Sequence, residues 1–188
     1  MFTPLYLHRD YRDYPTPDGR MEHATARVFL KARIVHPRTG AKTPAQYNAL
    51  IDTGAERTVV PLVATEYFET QTQARLVRST PGMLILADGT PRPGIPSFEL
   101  AFEFQGLSAA DPNTRSVQTV STFGKRTDGV WRSTPCFAWD YDQPVPNHRG
   151  ERRRFDQVIL GMDVLRHWHV ELNEPENRYV AFIPQNGA

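Results

Sequence analysis

The sequence predicts an all-β fold with one or two short helices. Three observations carry that expectation. Apolar and polar residues alternate with period two across 26–34 and again across 98–104, the pattern of half-buried strands. Several short apolar runs end at Gly, Pro, Asn or Asp clusters, as strands joined by turns do. The 16 prolines in 188 residues argue against a helical bundle, because proline breaks helix interiors.

Residues 1–24 have no clear period and read as an extended N-terminal arm, either partly disordered or packed on a partner. Ala26, Val28, Leu30, Ala32 and Ile34 then fall on one face of a strand, with Arg27, Lys31 and Arg33 opposite. Pro37, Gly40 and Pro44 mark a loop. Residues 47–51 form a second strand that runs straight into Asp52-Thr53-Gly54-Ala55. Thr58-Val59-Val60 is a further short strand, and 62–68 a short helix with Pro61 near its first turn. The apolar run 83–86 leads into Ala87-Asp88-Gly89-Thr90, an Asp-Gly hairpin signal. Phe98, Leu100, Phe102 and Phe104 alternate with Glu99, Ala101 and Glu103 in a strand. From 108 to 154 the pattern weakens. So long a stretch is more than a connection, and 116–123 and 136–141 are its candidate strands. Val158-Ile159-Leu160 is a buried-type strand, broken by Gly161 and followed by a short helix over 163–168. Residues 169–172 and 179–183 close the chain as a hairpin around a turn at 173–177. The domain reading is an arm over 1–24 and one domain over 25–188 with a long insertion at 108–154.

Composition narrows the function classes. The 22 Lys and Arg balance 21 Asp and Glu, for a formal charge of +1, without the basic excess of a nucleic-acid binder. The single cysteine, Cys136, excludes an intrachain disulfide framework and a Cys-rich zinc site. No apolar run reaches the roughly 20 residues of a transmembrane helix, and the first residues lack the apolar core of a signal peptide. The expectation is a cytoplasmic protein with no membrane or nucleic-acid partner.

The segment from Ala49 to Pro61 carries chemistry. An apolar strand delivers Asp52, and a small hydroxyl residue and a glycine follow at once. A carboxylate at the end of a buried strand is costly unless it is solvated or hydrogen-bonded. Gly54 permits a tight turn and close backbone approach, and Thr53 can hold the loop by its hydroxyl. A strand-ending Asx-turn accounts for the same tripeptide without any function, so the tripeptide alone decides little. A second segment, Val158-Ile159-Leu160-Gly161-Met162-Asp163-Val164-Leu165, supplies an apolar strand, a glycine and a helix start.

Taken with the hairpin over 84–96 between them, these two segments resemble the retropepsin-like aspartic proteases, the single-lobed family that includes retroviral proteases. The resemblance covers residues 25–107 and 155–184. It implies a closed β-barrel with one short C-terminal helix, assembled as a homodimer, and an endopeptidase of extended peptides. It implies Asp52 as the catalytic carboxylate and Thr53 and Gly54 as supports of the catalytic loop. Gly54, Ala55 and Glu56 would line the substrate cleft. Ala87, Asp88, Gly89 and Thr90 would be the tip of a flap that adds strand-like hydrogen bonds to the substrate. Leu160, Gly161 and Asp163 would be the structural motif packed across the loop. No metal or other cofactor is implied. The mechanism needs two carboxylates sharing a proton across one water. The chain has one Asp-Thr/Ser-Gly; Asp88-Gly89 and Asp128-Gly129 lack the hydroxyl residue. Asp52 must therefore meet Asp52 of a second copy across a two-fold axis. Met162 stands where retroviral members carry an arginine that braces the dimer, and Met162-Asp163 is closer to cellular and bacterial-type members. The alternative is a non-catalytic dimerisation or peptide-binding module on the same scaffold.

Other residues read more plainly. His167 and His169 lie two apart without the third and fourth ligands that zinc needs. Arg152-Arg153-Arg154 reads as a solvated loop. Cys136, among Phe137, Trp139 and Tyr141, reads as a small buried hydrophobe rather than a nucleophile.

Overall fold

Alternation in sequence becomes inward and outward faces in space, clearest in the long strands through Ile34 and Phe102. The computed structural model of the chain describes residues 2–11, 24–85, 89–105, 120–122, 131–140, 157–173 and 178–182. The strands are β1 (Phe2–Pro4), β2 (Tyr6–Tyr11), β3 (Ala24–Val35), β4 (Tyr47–Ile51), β5 (Val59–Pro61), β6 (Arg78–Ile85), β7 (Pro91–Gln105), β8 (Val120–Thr122), β9 (Thr134–Trp139), β10 (Gln157–Leu160), β11 (His169–Asn173) and β12 (Arg178–Phe182). Two helices interrupt them, α1 (Leu62–Gln71) and α2 (Met162–Leu165). The mainly β expectation holds, and α1 joins the short helix near the C-terminus.

The main sheet runs β2-β3-β4-β10-β5-β9-β7-β6, with β8 attached to β7. β7 also pairs with β3, through Ala32 opposite Phe104 to Val35 opposite Ala101. The ladder from β3 through β4, β10, β5, β9 and β7 thus returns to its first strand. The long β3 makes this possible. One edge meets β2 and then β7, while the other meets β4.

Leu30, Ala32 and Ile34 of β3 and Leu100, Phe102 and Phe104 of β7 point to one core, with Ala49, Val60, Phe68, Cys136, Ala138, Val158, Leu160 and Val164. Each fully buried Leu, Val or Phe contributes about 1.5–3 kcal/mol. This cluster therefore dominates the stability of the fold, well above any surface ion pair. Trp168 meets Phe104 edge-on at 4.9 Å between ring centroids. The opposite face of β3 and β7 buries Val35 and Ala101 under Trp131, and the Lys42 ammonium pairs with the buried Glu103 carboxylate there.

Two segments differ from the sequence reading in extent. Residues 2–11 pair within the chain: β1 joins β12 and β11 in a small sheet, and β2 lies along β3. The weakly patterned 108–154 stretch contains β9, a central strand between β5 and β7. No helix among the described residues is long and apolar enough to cross a membrane.

Candidate active site

Asp52 sits where β4 ends, and its backbone continues the β4–β10 ladder by one bond, Asp52 N–H to the Leu160 carbonyl at 3.1 Å. The chain then turns. Gly54 N–H donates to Asp52 Oδ1 at 2.9 Å and Ala55 N–H to the Asp52 carbonyl at 3.2 Å. The Asx-turn expected from Asp-Thr-Gly is therefore real, and it orients the carboxylate. Asp52 remains half-buried and Thr53 and Gly54 exposed, so the carboxylate has not been sealed into the core.

β10 is threaded between the two strands that this loop joins. It runs parallel to β4 and antiparallel to β5, with Ile159 opposite Val59. Beyond the strand the contact goes on through Met162 N–H to the Ala55 carbonyl at 2.7 Å and Asp163 N–H to the Glu56 carbonyl at 3.2 Å. Such a seam leaves no room for a side chain. A Cβ on Gly161 would lie 2.5 Å from the Arg57 carbonyl carbon and 2.9 Å from the Ala55 oxygen. Gly161 is thus the residue that lets the second motif close on the first.

Asp163 is committed to that seam. Its Oδ2 accepts from Thr58 N–H at 3.0 Å and its Oδ1 from the Thr58 hydroxyl at 2.7 Å. Thr58 Oγ1 in turn accepts from Gly161 N–H at 3.1 Å. With both Asp163 oxygens engaged, this carboxylate does not serve as a proton-sharing partner for Asp52. Glu56 is exposed on the loop, and Leu160 is buried behind it.

The hairpin expected over 84–96 is longer than the sequence suggested. β6 and β7 pair from Arg78 opposite Phe98 to Ile85 opposite Pro91. Of the four expected tip residues, Gly89 and Thr90 are described, Gly89 with φ +81°. Ala87 and Asp88 lie outside the described residues. Two irregularities interrupt the ladder on either side of the Gly82–Ile95 pair. The outer one puts an extra residue on β7, where Gly94 takes φ +72°. Such a bulge bends the strand and increases its twist. The hairpin folds over β9, since a Cβ on Gly82 would lie 2.3 Å from the Phe137 ring.

The sequence reading did not single out Thr58 or Phe137 as site residues. A Thr just before a strand has no motif value until Asp163 is seen against it. Phe137 looked like one aromatic among several. Cys136 beside it is buried. Burial pushes its thiol well above the ordinary range, Asp163 and Glu99 add to the rise, and Arg57 opposes it. It is an inert core residue. His167 accepts from Arg166 Nε at 3.1 Å in the turn after α2, and His169 starts β11; both are exposed. Among the described residues no group of His, Cys, Asp or Glu is placed to hold a metal ion. Arg152, Arg153 and Arg154 lie outside the described residues.

No family model matches the chain, and no curated protein matches it.

Proposed function

We propose that the chain is an aspartic endopeptidase of the retropepsin-like type, a closed barrel that acts as a homodimer in the cytoplasm. One observation carries the reading: the two motifs, over a hundred residues apart, interlock around Asp52. β10 runs between the strands flanking the Asp52 loop, and Gly161 closes the seam where only glycine fits. The return of the β ladder from β7 to β3 supports the closed barrel.

In this reading Asp52 of one protomer faces Asp52 of its partner. The two carboxylates share one proton, because like charges so close do not both ionise. One takes a proton from water as the water attacks the scissile carbonyl, while the protonated one polarises that carbonyl. Gly54 N–H holds the Asp52 carboxylate in the orientation the pair needs. The exposed Thr53 would brace the second loop, and Gly54, Ala55 and Glu56 would take up the substrate backbone. The hairpin of β6 and β7 would close over an extended peptide.

The test is digestion of a diverse peptide pool from acid to neutral pH, with Asp52→Asn in parallel and solution mass measured on both. The expected result is a dimer whose cuts vanish in the variant. Equal cleavage by Asp52→Asn would remove Asp52 from the chemistry, and a strict monomer at all concentrations would remove the paired-carboxylate mechanism. A folded dimer that binds peptides without cutting them would favour the non-catalytic binding module.

A further inference from the structure

An apolar row crosses the outer face of the main sheet beside Asp52. Leu50 of β4 is directly opposite Ile159 of β10, Ile159 is opposite Val59 of β5, and Val59 is opposite Phe137 of β9. Directly opposed residues share a face of the sheet. Their chain neighbours Ala49, Val158, Val60 and Cys136 lie in the core, so the row faces outward. Asp52 follows Leu50 by two residues and its amide is still in the ladder. Alternation therefore sends its side chain to the same outer face.

The two ends of this row differ. At the β9 end the hairpin lies on it. The Phe137 ring reaches the β6 backbone, where a Cβ on Gly82 would lie 2.3 Å from its outermost carbon. Val59 beside it is outside both core clusters and yet only 3% exposed, so it too is covered from the outer side. At the β4 end Leu50 and Ile159 are half-buried. The row is thus open towards Asp52 and closed at Phe137, with the ring as an end wall between sheet and hairpin.

We propose that Phe137 is a specificity-determining residue of the cleft: its ring fills the gap under Gly82, so that an extended peptide lying along the row must bring Gly, Ala or Ser to that point. The inference rests on the protease reading for the peptide and for Asp52, but its test does not depend on catalysis. Packed protein leaves few voids, and extra methylenes forced into a filled space are costly. From β4 to β9 is three steps of the ladder, about 14 Å at the usual strand spacing. An extended chain covers that in about four residues. The restricted position is therefore about four residues from the scissile bond. Positions nearer Asp52, over Leu50 and Ile159, carry no such limit.

The experiment uses an equimolar pool of random dodecapeptides. The Asp52→Asn protein is equilibrated with the pool, bound peptides are separated by rapid filtration and sequenced by mass spectrometry, and the active protein is run on the same pool for cleavage. Phe137→Leu and Phe137→Ala are made in both backgrounds, with folding checked by thermal melting. Phe137→Leu loses the least packing and carries the test by itself if Phe137→Ala does not fold. Side chains larger than Ser should be depleted about tenfold at one position of the peptides bound by the Asp52→Asn protein. The same depletion should stand about four residues from the cut in the products of the active protein. It should shrink in Phe137→Leu and vanish in Phe137→Ala, with the other positions unchanged. A size limit in bound peptides with no cleavage by the active protein would leave the role of Phe137 standing and remove the protease. Cleavage without a size limit, a limit that survives the substitutions in folded protein, or no peptide binding at all would overturn the inference.

Discussion

Thr58 and Asp163 stand 105 residues apart in sequence and are joined by two hydrogen bonds, one from the Thr58 amide and one from its hydroxyl. The same hydroxyl takes the Gly161 amide proton. One buried threonine side chain thus ties the strand leaving the Asp52 loop to the start of α2. Hydrogen bonds to a charged acceptor are worth more than neutral ones, so this knot, rather than a surface ion pair, holds the loop in place.

Asp163→Ala leaves a buried amide and hydroxyl without their acceptor. The expected loss is about 2–3 kcal/mol of unfolding free energy, read from urea midpoints at constant slope. The proposed cleavage should fall further than stability does, because the loop that presents Asp52 loosens. A change below about 0.5 kcal/mol would show that the pair contributes nothing beyond its surroundings.

Gly161→Ala and Gly89→Ala form a contrasting pair. A Cβ at Gly161 meets the Arg57 backbone at 2.5 Å, whereas at Gly89 it meets nothing within 4 Å. Gly89 pays only for its φ of +81°, about 1–2 kcal/mol. Gly161→Ala should cost more than that, since backbone must move, and should abolish the proposed cleavage. Equal melting temperatures for the two variants would contradict the close seam.

Gly82→Ala drives a methyl into the Phe137 ring, at 2.3 Å from its outermost carbon. Leucine lacks that carbon. Phe137→Leu should therefore rescue Gly82→Ala, with a favourable coupling of about 1 kcal/mol or more in a double-mutant cycle. Strict additivity would mean that the hairpin does not rest on Phe137.

Cys136 supplies a pH-dependent prediction. Its thiol is held well above the ordinary value of 9.0, first by burial and then by Asp163 and Glu99. The folded state keeps the proton that the unfolded thiol loses, so the contribution is fully present below pH 9.0 and is lost as pH rises beyond it. Urea unfolding of the parent and Cys136→Ala over neutral to alkaline pH should show a steeper alkaline loss in the parent. In the native protein near pH 8 the thiol should resist alkylation until urea unfolds the chain.

Much of the fold was legible because alternation is a local signal. The strands holding Leu30, Ala32 and Ile34, and Leu100, Phe102 and Phe104, were readable because their faces differ so sharply. The helix after Pro61 was readable too, although it runs three residues beyond the expected Phe68 end. β9 was blurred. Its residues Thr134, Pro135, Phe137 and Trp139 are neither clearly polar nor fully buried, so the period is weak where the strand is central. Residues 2–4 and 6–11 showed no period, and what they do is pair along backbones, with β12 and with β3.

By itself the sequence determined that the protein is mainly β, that Asp52 sits at the end of an apolar strand in a tight turn, and that Gly161 opens a short helix. Each depends on neighbours within a few residues, where propensity and turn chemistry act. Only the tertiary structure decided that β10 passes between β4 and β5, that Thr58 engages both Asp163 oxygens, and that Gly82 of the hairpin lies against Phe137. Those relations arise from strand register and long-range backbone pairing, and no local pattern encodes which distant strand a given strand will meet.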